Sequence, residues 1–141
     1  MNKNMYETDY FGWVYEQANL LKNKEYGKLD MDHLIEEIES LGNSPRNKLE
    51  SHLTILLMHL LKIQYQPDYH TKSWDLSIKN AKFHVRKTIN KNPSLKSELE
   101  EIYNDAYYLA RLDASKETSI HEKTFPKECP WKFEEIMEEK E

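Results

Sequence analysis

Six polar residues of this chain have types and spacings that can do chemistry: Glu37, His59, Lys62, Gln66, Arg111 and Glu117. His59, Lys62 and Gln66 recur every three or four positions in "HLLKIQYQP", residues 59–67. On a helix turning about 100° per residue they share one side. A carboxylate brought there by a neighbouring helix, Glu37 or Glu117, would give His59 a general acid/base partner, with Lys62 or Arg111 holding an anion and Lys82 extending the group. His59, Glu37 and Glu117 also read as ligands for one divalent ion, as in carboxylate-lined bundle interiors. The metal pattern is thin: there is no Glu-x-x-His, and His52 and His59 lie about 10 Å apart along a helix axis. Against both chemistries stands a structural role, in which a His and a Lys at the border of a core helix pair with carboxylates and fix register. The sequence favours this role.

Those residues must be positioned by helices. Only three Gly, scattered Pro and abundant Lys, Glu and Leu favour an all-α chain over a sheet protein. Thr8 and Asp9 cap a first helix to about Asn23, with Phe11, Val14, Ala18 and Leu21 as its apolar side. "LDMDHLIEEIESLG" gives a second, with Asp30 as N-cap, a core face of Leu34, Ile35, Ile38 and Leu41, and Gly42 as terminator. Ser44 and Pro45 open a third, running to about Gln66, unless Gly42–Pro45 is a kink in one long helix. Its core arc is Leu53, Leu56, Leu57, Leu60, Leu61 and Ile63, and Gln64 falls inside that arc. Ser73 caps a fourth helix with a Trp74, Ile78, Ala81, Val85, Ile89 stripe. Asn92 and Pro93 open a fifth, to about Lys116, whose stripe of Leu95, Leu99, Ile102, Ala106 and Leu109 extrapolates to Asp113 and Glu117 on the buried side. Beyond it the periodicity fails, and "FPKECPW" reads as an extended strap before a short helix over Phe133–Glu138. The expectation is one domain over residues 1–141: a helical bundle of about five main helices, a C-terminal strap and a short final helix.

Charge is uneven. Residues 1–61 carry a net of −4, residues 62–96 a net of +6 and residues 97–141 a net of −7, giving −5 in all. A basic middle between acidic ends can neutralise itself within one bundle or pair between two chains. The lone Cys129 excludes an intrachain disulfide and any cysteine-based zinc cluster, which fits a reducing cytoplasm. The start of the chain lacks a signal-peptide apolar region, and Leu53–Ile63 is too short to span a bilayer.

Several segments together carry a resemblance: "YETDYFGWVYEQANLL", "LDMDHLIEEIESLG", "HLLKIQYQP", "SWDLSIKNAKF", "NPSLK", "ARLDASKET" and "FPKECPW". In this order and spacing the chain resembles, nearly end to end, the bacterial domain of unknown function family 29, frequent in cyanobacteria. The resemblance implies a compact all-α protein and brings no activity or cofactor. It places the family's polar signature on Glu36, Glu37, His59, Lys62, Gln66, Arg111, Glu117 and Thr118. Ile63 stands where the family often has Trp, and Lys82 where it often has Arg, a fork that Lys cannot reproduce.

The function expected is a non-catalytic interaction or regulatory module, with a protein partner or a second copy as occupant. The alternative is a hydrolase-like or divalent-metal-dependent enzyme built on His59, Glu37 and Glu117. A second alternative is nucleic-acid binding through segment 79–91, with Lys79, Lys82, Arg86, Lys87 and Lys91. It is disfavoured because nucleic-acid binders are usually basic overall.

Overall fold

The computed structural model describes residues 5–138, and every regular element among them is helical. The helices are α1 (Met5–Thr8), α2 (Tyr10–Lys22), α3 (Met31–Tyr65), α4 (Lys72–Lys91), α5 (Leu99–Thr118) and α6 (Phe133–Met137). Short 3-10 turns fall at Tyr26–Lys28, Pro67–Tyr69, Pro93–Glu98 and Glu122–Thr124. The chain forms two compact units that meet between Asn43 and Ser44.

The first unit is a helical hairpin. Asp9 caps α2 by accepting the Gly12 amide at 3.1 Å. A Cβ at Gly12 would collide with that same carboxylate, so the cap itself calls for glycine here. The hairpin's buried side chains are Trp13 and Gln17, at 2% and 1% exposure. The faces expected to form the core lie outside: Phe11, Val14 and Leu21 on α2 and Ile35, Ile38 and Leu41 on α3 are all exposed. Leu34 is half-buried.

The second unit has the conventional core. Leu49, Leu53, Leu56, Leu57 and Leu61 of α3 are fully buried against Ala81, Val85 and Ile89 of α4 and Ile102, Ala106, Ala110 and Ala114 of α5. The fourfold spacing of small residues on α5 lets a leucine-rich neighbour approach closely. The buried line of α5 therefore runs on through Ala110 and Ala114, leaving Leu109, Asp113 and Glu117 exposed rather than inward as extrapolated. Gln64 is likewise exposed and leaves the core arc to Leu61 and the half-buried Tyr65. Phe125 of the strap and Ile136 of α6 close the core.

Side-chain donors at every fourth position of α5 hold the strap. Tyr103 donates to the Trp131 carbonyl at 2.9 Å, Tyr107 to that of Pro126 at 2.5 Å, Arg111 to that of Glu122 at 3.1 Å and Ser115 to that of Ile120 at 2.6 Å. This ladder gives an irregular segment the backbone partners that a helix would have supplied. The end of α6 is held similarly, by Lys82 on the Glu138 carbonyl at 2.8 Å and Arg86 on that of Met137 at 3.1 Å.

Gly42 terminates nothing, because α3 is continuous from Met31 to Tyr65 with Pro45 inside it. A proline there removes one i→i−4 hydrogen bond and crowds the preceding turn, at a cost of roughly 3 kcal/mol relative to alanine. Pro45→Ala is therefore expected to raise stability by about 1–3 kcal/mol in urea unfolding. If Pro45 opened a new helix, where it is favourable, the same substitution would be neutral or destabilising.

Candidate functional site

The sequence left open which carboxylate meets His59 and Lys62. Lys62 answers for itself: its ammonium lies 3.7 Å from Glu117 Oε2 and 4.4 Å from the centroid of the Trp74 ring. The residue is only 8% exposed, so its stem is buried while its charge is shared between a carboxylate and an aromatic face. Gln66 joins the same end of the unit by donating to the Thr118 carbonyl at 3.4 Å. Thr118 in turn donates to the Ala114 carbonyl at 2.7 Å and accepts the Ile120 amide at 3.2 Å. With Ser119 left-handed at φ 64°, these bonds end α5 and turn the chain into the strap.

His59 stands beside this group without a carboxylate bond. Its ring centroid is 6.3 Å from that of Trp74, and its Nδ1 is buried with no hydrogen-bond partner among the described residues. Burial lowers its pKa first, Lys62 lowers it further, and Glu117 opposes both. A second histidine, His52, is stacked on His84 at 4.7 Å and is shifted down by burial, then by His84 and Lys48.

Arg111, a proposed anion holder, uses Nη2 on the strap, and its Nε is buried without a partner among the described residues. Glu37 has its own partners in the first unit: it accepts from Tyr6 and, at 2.6 Å, from Tyr10. Those phenols hold its carboxyl below the ordinary range, while the Tyr6 hydroxyl is pushed up to about 12. Glu36 is exposed.

Around Glu37 lies a network that the candidate set lacked. Asp30 accepts Trp13 Nε1 at 3.0 Å and pairs with His33 Nδ1 at 2.7 Å, while its own amide donates to Gln17 Oε1 at 2.8 Å. Tyr6 stacks on His33 with centroids 4.0 Å apart. Asp30 raises the His33 pKa, and His33 lowers that of Asp30. The contacts run down α3 as they run up α2, Tyr10 to Glu37 and then Trp13 and Gln17 to Asp30, so the two helices are antiparallel. The available signal was that Trp13 and Gln17, four apart, share a side rotated about 100° from the aliphatic one.

Because the inward side is polar and aromatic, the aliphatic side faces water. Phe11 is 72%, Leu41 71% and Ile38 64% exposed. On both helices the exposed apolar residues lie to the same rotational side of the packed line, from about 50° for Leu21 and Leu41 to roughly 140–170° for Phe11 and Ile35. In an antiparallel pair, equal rotations of one sense bring both arcs to one broad side of the hairpin. Asp32, Glu36 and Glu39, all exposed, border that side along α3.

Among the described residues, no group of three or more His, Cys, Asp or Glu is placed to hold a metal ion. A cavity of about 760 Å³ opens between α5 and the strap, lined by Tyr103, Tyr107, Cys129, Trp131 and Phe133 among others, and neither His59, Lys62 nor Glu117 lines it. Burial pushes the Cys129 thiol up, although Tyr103 and the Trp131 backbone oppose the shift. None of the described helices is long and apolar enough to cross a membrane.

The class these features define is an all-α protein whose long helix joins a polar-cored hairpin to a strap-closed helical core. The chain belongs to the family described as Domain of unknown function DUF29, which matches residues 5–140. No curated protein and no solved structure matches it.

The histidine shifts give a signed expectation. A depressed folded-state pKa contributes stability above the unfolded value that is lost as pH falls through the folded one. In a heteronuclear NMR titration, His59 is expected to titrate below an ordinary histidine, lower still in Glu117→Gln and higher in Lys62→Met. An unshifted His59 that ignores both substitutions would contradict the described environment.

Proposed function

We propose that this protein is a non-catalytic interaction module that docks a protein partner on the apolar side of its first unit. One observation carries the reading: six large apolar residues, Phe11, Val14, Leu21, Ile35, Ile38 and Leu41, are exposed on a hairpin whose inward side is polar. Scattered exposed apolar residues are ordinary, but a contiguous side of this kind on a soluble domain marks an interaction surface. The polar candidates support the same reading through their engagements. Lys62 is shared by Glu117 and Trp74, Arg111 clasps the strap, and Glu37 is taken by two tyrosines. Of the five basic residues considered for nucleic acid, Lys82 and Arg86 donate to the end of α6. The setting proposed is a reducing bacterial cytoplasm, with which a single cysteine is compatible.

A photo-crosslinking side chain tests the docking side in the source cell. Placed at Phe11, Ile38 or Leu41 it is expected to give one and the same discrete protein adduct, which is lost when a neighbouring apolar residue becomes Glu. At Asp113 or Lys116 on α5 it is expected to give none. Adducts of equal yield from all five positions, or none from the first three, would overturn the reading.

A further inference from the structure

The docking side has a charge as well as an apolar surface. Residues 1–43, the first unit, hold four Lys against nine Asp and Glu, a net of −5. Residues 44–141 hold sixteen of each sign, so the first unit carries the whole net charge of the chain. An occupant of this side needs an apolar ridge and a positive margin.

Within the second unit, α4 offers both. Over Lys72–Lys91 it holds six Lys and Arg against Asp75 alone, a net of +5. Its inward line is Ala81, Val85 and Ile89, while Leu76 and Phe83 stand on the opposite side at 55% and 56% exposure. Seven residues apart, they lie two turns along one face. Lys72, Lys79 and Lys87 fall within about 60° of them on the helical wheel, and all three are exposed. Lys82 and Arg86 point elsewhere, onto the carbonyls that end α6. The outer side of α4 is therefore a basic amphipathic surface whose apolar ridge is more than half exposed.

From this complementarity we infer that the occupant of the docking side is α4 of a second copy, in a twofold dimer in which each first unit seats on the other chain's α4. The inference rests on the docking reading and adds the identity of the partner. Leu76 and Phe83 meet the aliphatic side of the hairpin, and Lys72, Lys79 and Lys87 meet the margin of Asp32, Glu36 and Glu39. Direct pairing of two first units would also cover their apolar sides, but it sets −5 against −5. A twofold arrangement makes the contact twice and leaves neither docking side open.

Sedimentation equilibrium of the full chain tests this. The wild type is expected to be a dimer that weakens as salt is raised. Glu36→Lys/Glu39→Lys and, separately, Lys79→Glu/Lys87→Glu are each expected to weaken it about tenfold or more, with unchanged helicity by circular dichroism. Combining all four reversals is expected to restore the dimer to near wild-type affinity. A dimer lost with Ile38→Glu but indifferent to the Lys79→Glu/Lys87→Glu pair would overturn the assignment to α4 and leave the docking side standing. A monomer whose Phe11 and Leu41 are readily labelled by hydroxyl radicals would overturn the second copy while leaving the side open to another protein. A monomer in which both are protected would overturn the occupant and the docking reading together.

Discussion

Asp30 and Glu37 each accept hydrogen bonds from aromatic side chains of the helices before them, and the orientation of the first unit follows from that requirement. Trp13 is buried with an indole N–H that must find an acceptor, and Asp30 supplies it. Leaving such a group unsatisfied costs about 1–3 kcal/mol, comparable to fully burying one leucine side chain. Once Trp13, Gln17, His33 and Glu37 point inward to meet one another, helical geometry turns Phe11, Ile35 and Ile38 outward. The exposed apolar side is thus a consequence of a satisfied polar interior. The satisfaction is incomplete: Glu16 Oε2 and Gln17 Nε2 are buried without a partner among the described residues.

The second unit solves the opposite problem. Its leucine and alanine core needs no directional bonds, but the strap that covers it has only one 3-10 turn, Glu122–Thr124, to satisfy its backbone among the described residues. Tyr103, Tyr107, Arg111 and Ser115 supply donors at helical spacing, so α5 works as a template for a non-helical segment. Lys62 shows how a charge is kept in this setting. Trp74 covers the ammonium and Glu117, 45% exposed, balances it from the solvent side. Such a pair is worth little as an isolated surface ion pair. Its value here lies in keeping a nearly buried amine from being unpaired. The histidines of the two units carry opposite signs, while the lowered carboxyls of Asp30 and Glu37 make the first unit lose stability in acid as well. His33, raised by Asp30, contributes stability below its unfolded value that is lost as pH rises through its folded one. His52 and His59, both lowered, contribute stability that is lost as pH falls.

Much of the fold was legible in the sequence. The all-α class, the stops at Pro67 and Asn92 and the strap at "FPKECPW" follow from periodicity and proline chemistry, while the partner of Lys62 was left open between Glu37 and Glu117 and is Glu117. The faces of the first two long helices did not follow, because apolar periodicity assumes that the greasier side is inside. In α2 the inward side is marked by Trp13 and Gln17, whose polar atoms reveal their partners only in three dimensions. Gln64 and Asp113 failed for a related reason. A wheel extrapolated beyond the residues that pack predicts the next position, but real contact lines drift, as the fourfold alanine line of α5 does. The continuity through Gly42 and Pro45 was open because the same dipeptide signals fit a boundary or a tolerated interruption. Among the candidate site residues, Arg111 and Glu37 serve neighbours that no spacing rule names, and His59 Nδ1 is buried without a partner among the described residues.

The central claim is that polar bonds centred on Asp30, rather than aliphatic packing, hold the first unit together. Amide hydrogen exchange on Asp30→Ala, and independently on Trp13→Phe, measures it most directly. Protection is expected to collapse across residues 10–22 and 31–41 in both variants, while the buried segments of α3 beyond Leu49, α4 and α5 keep wild-type protection. Wild-type protection across residues 10–22 in either variant would contradict the account.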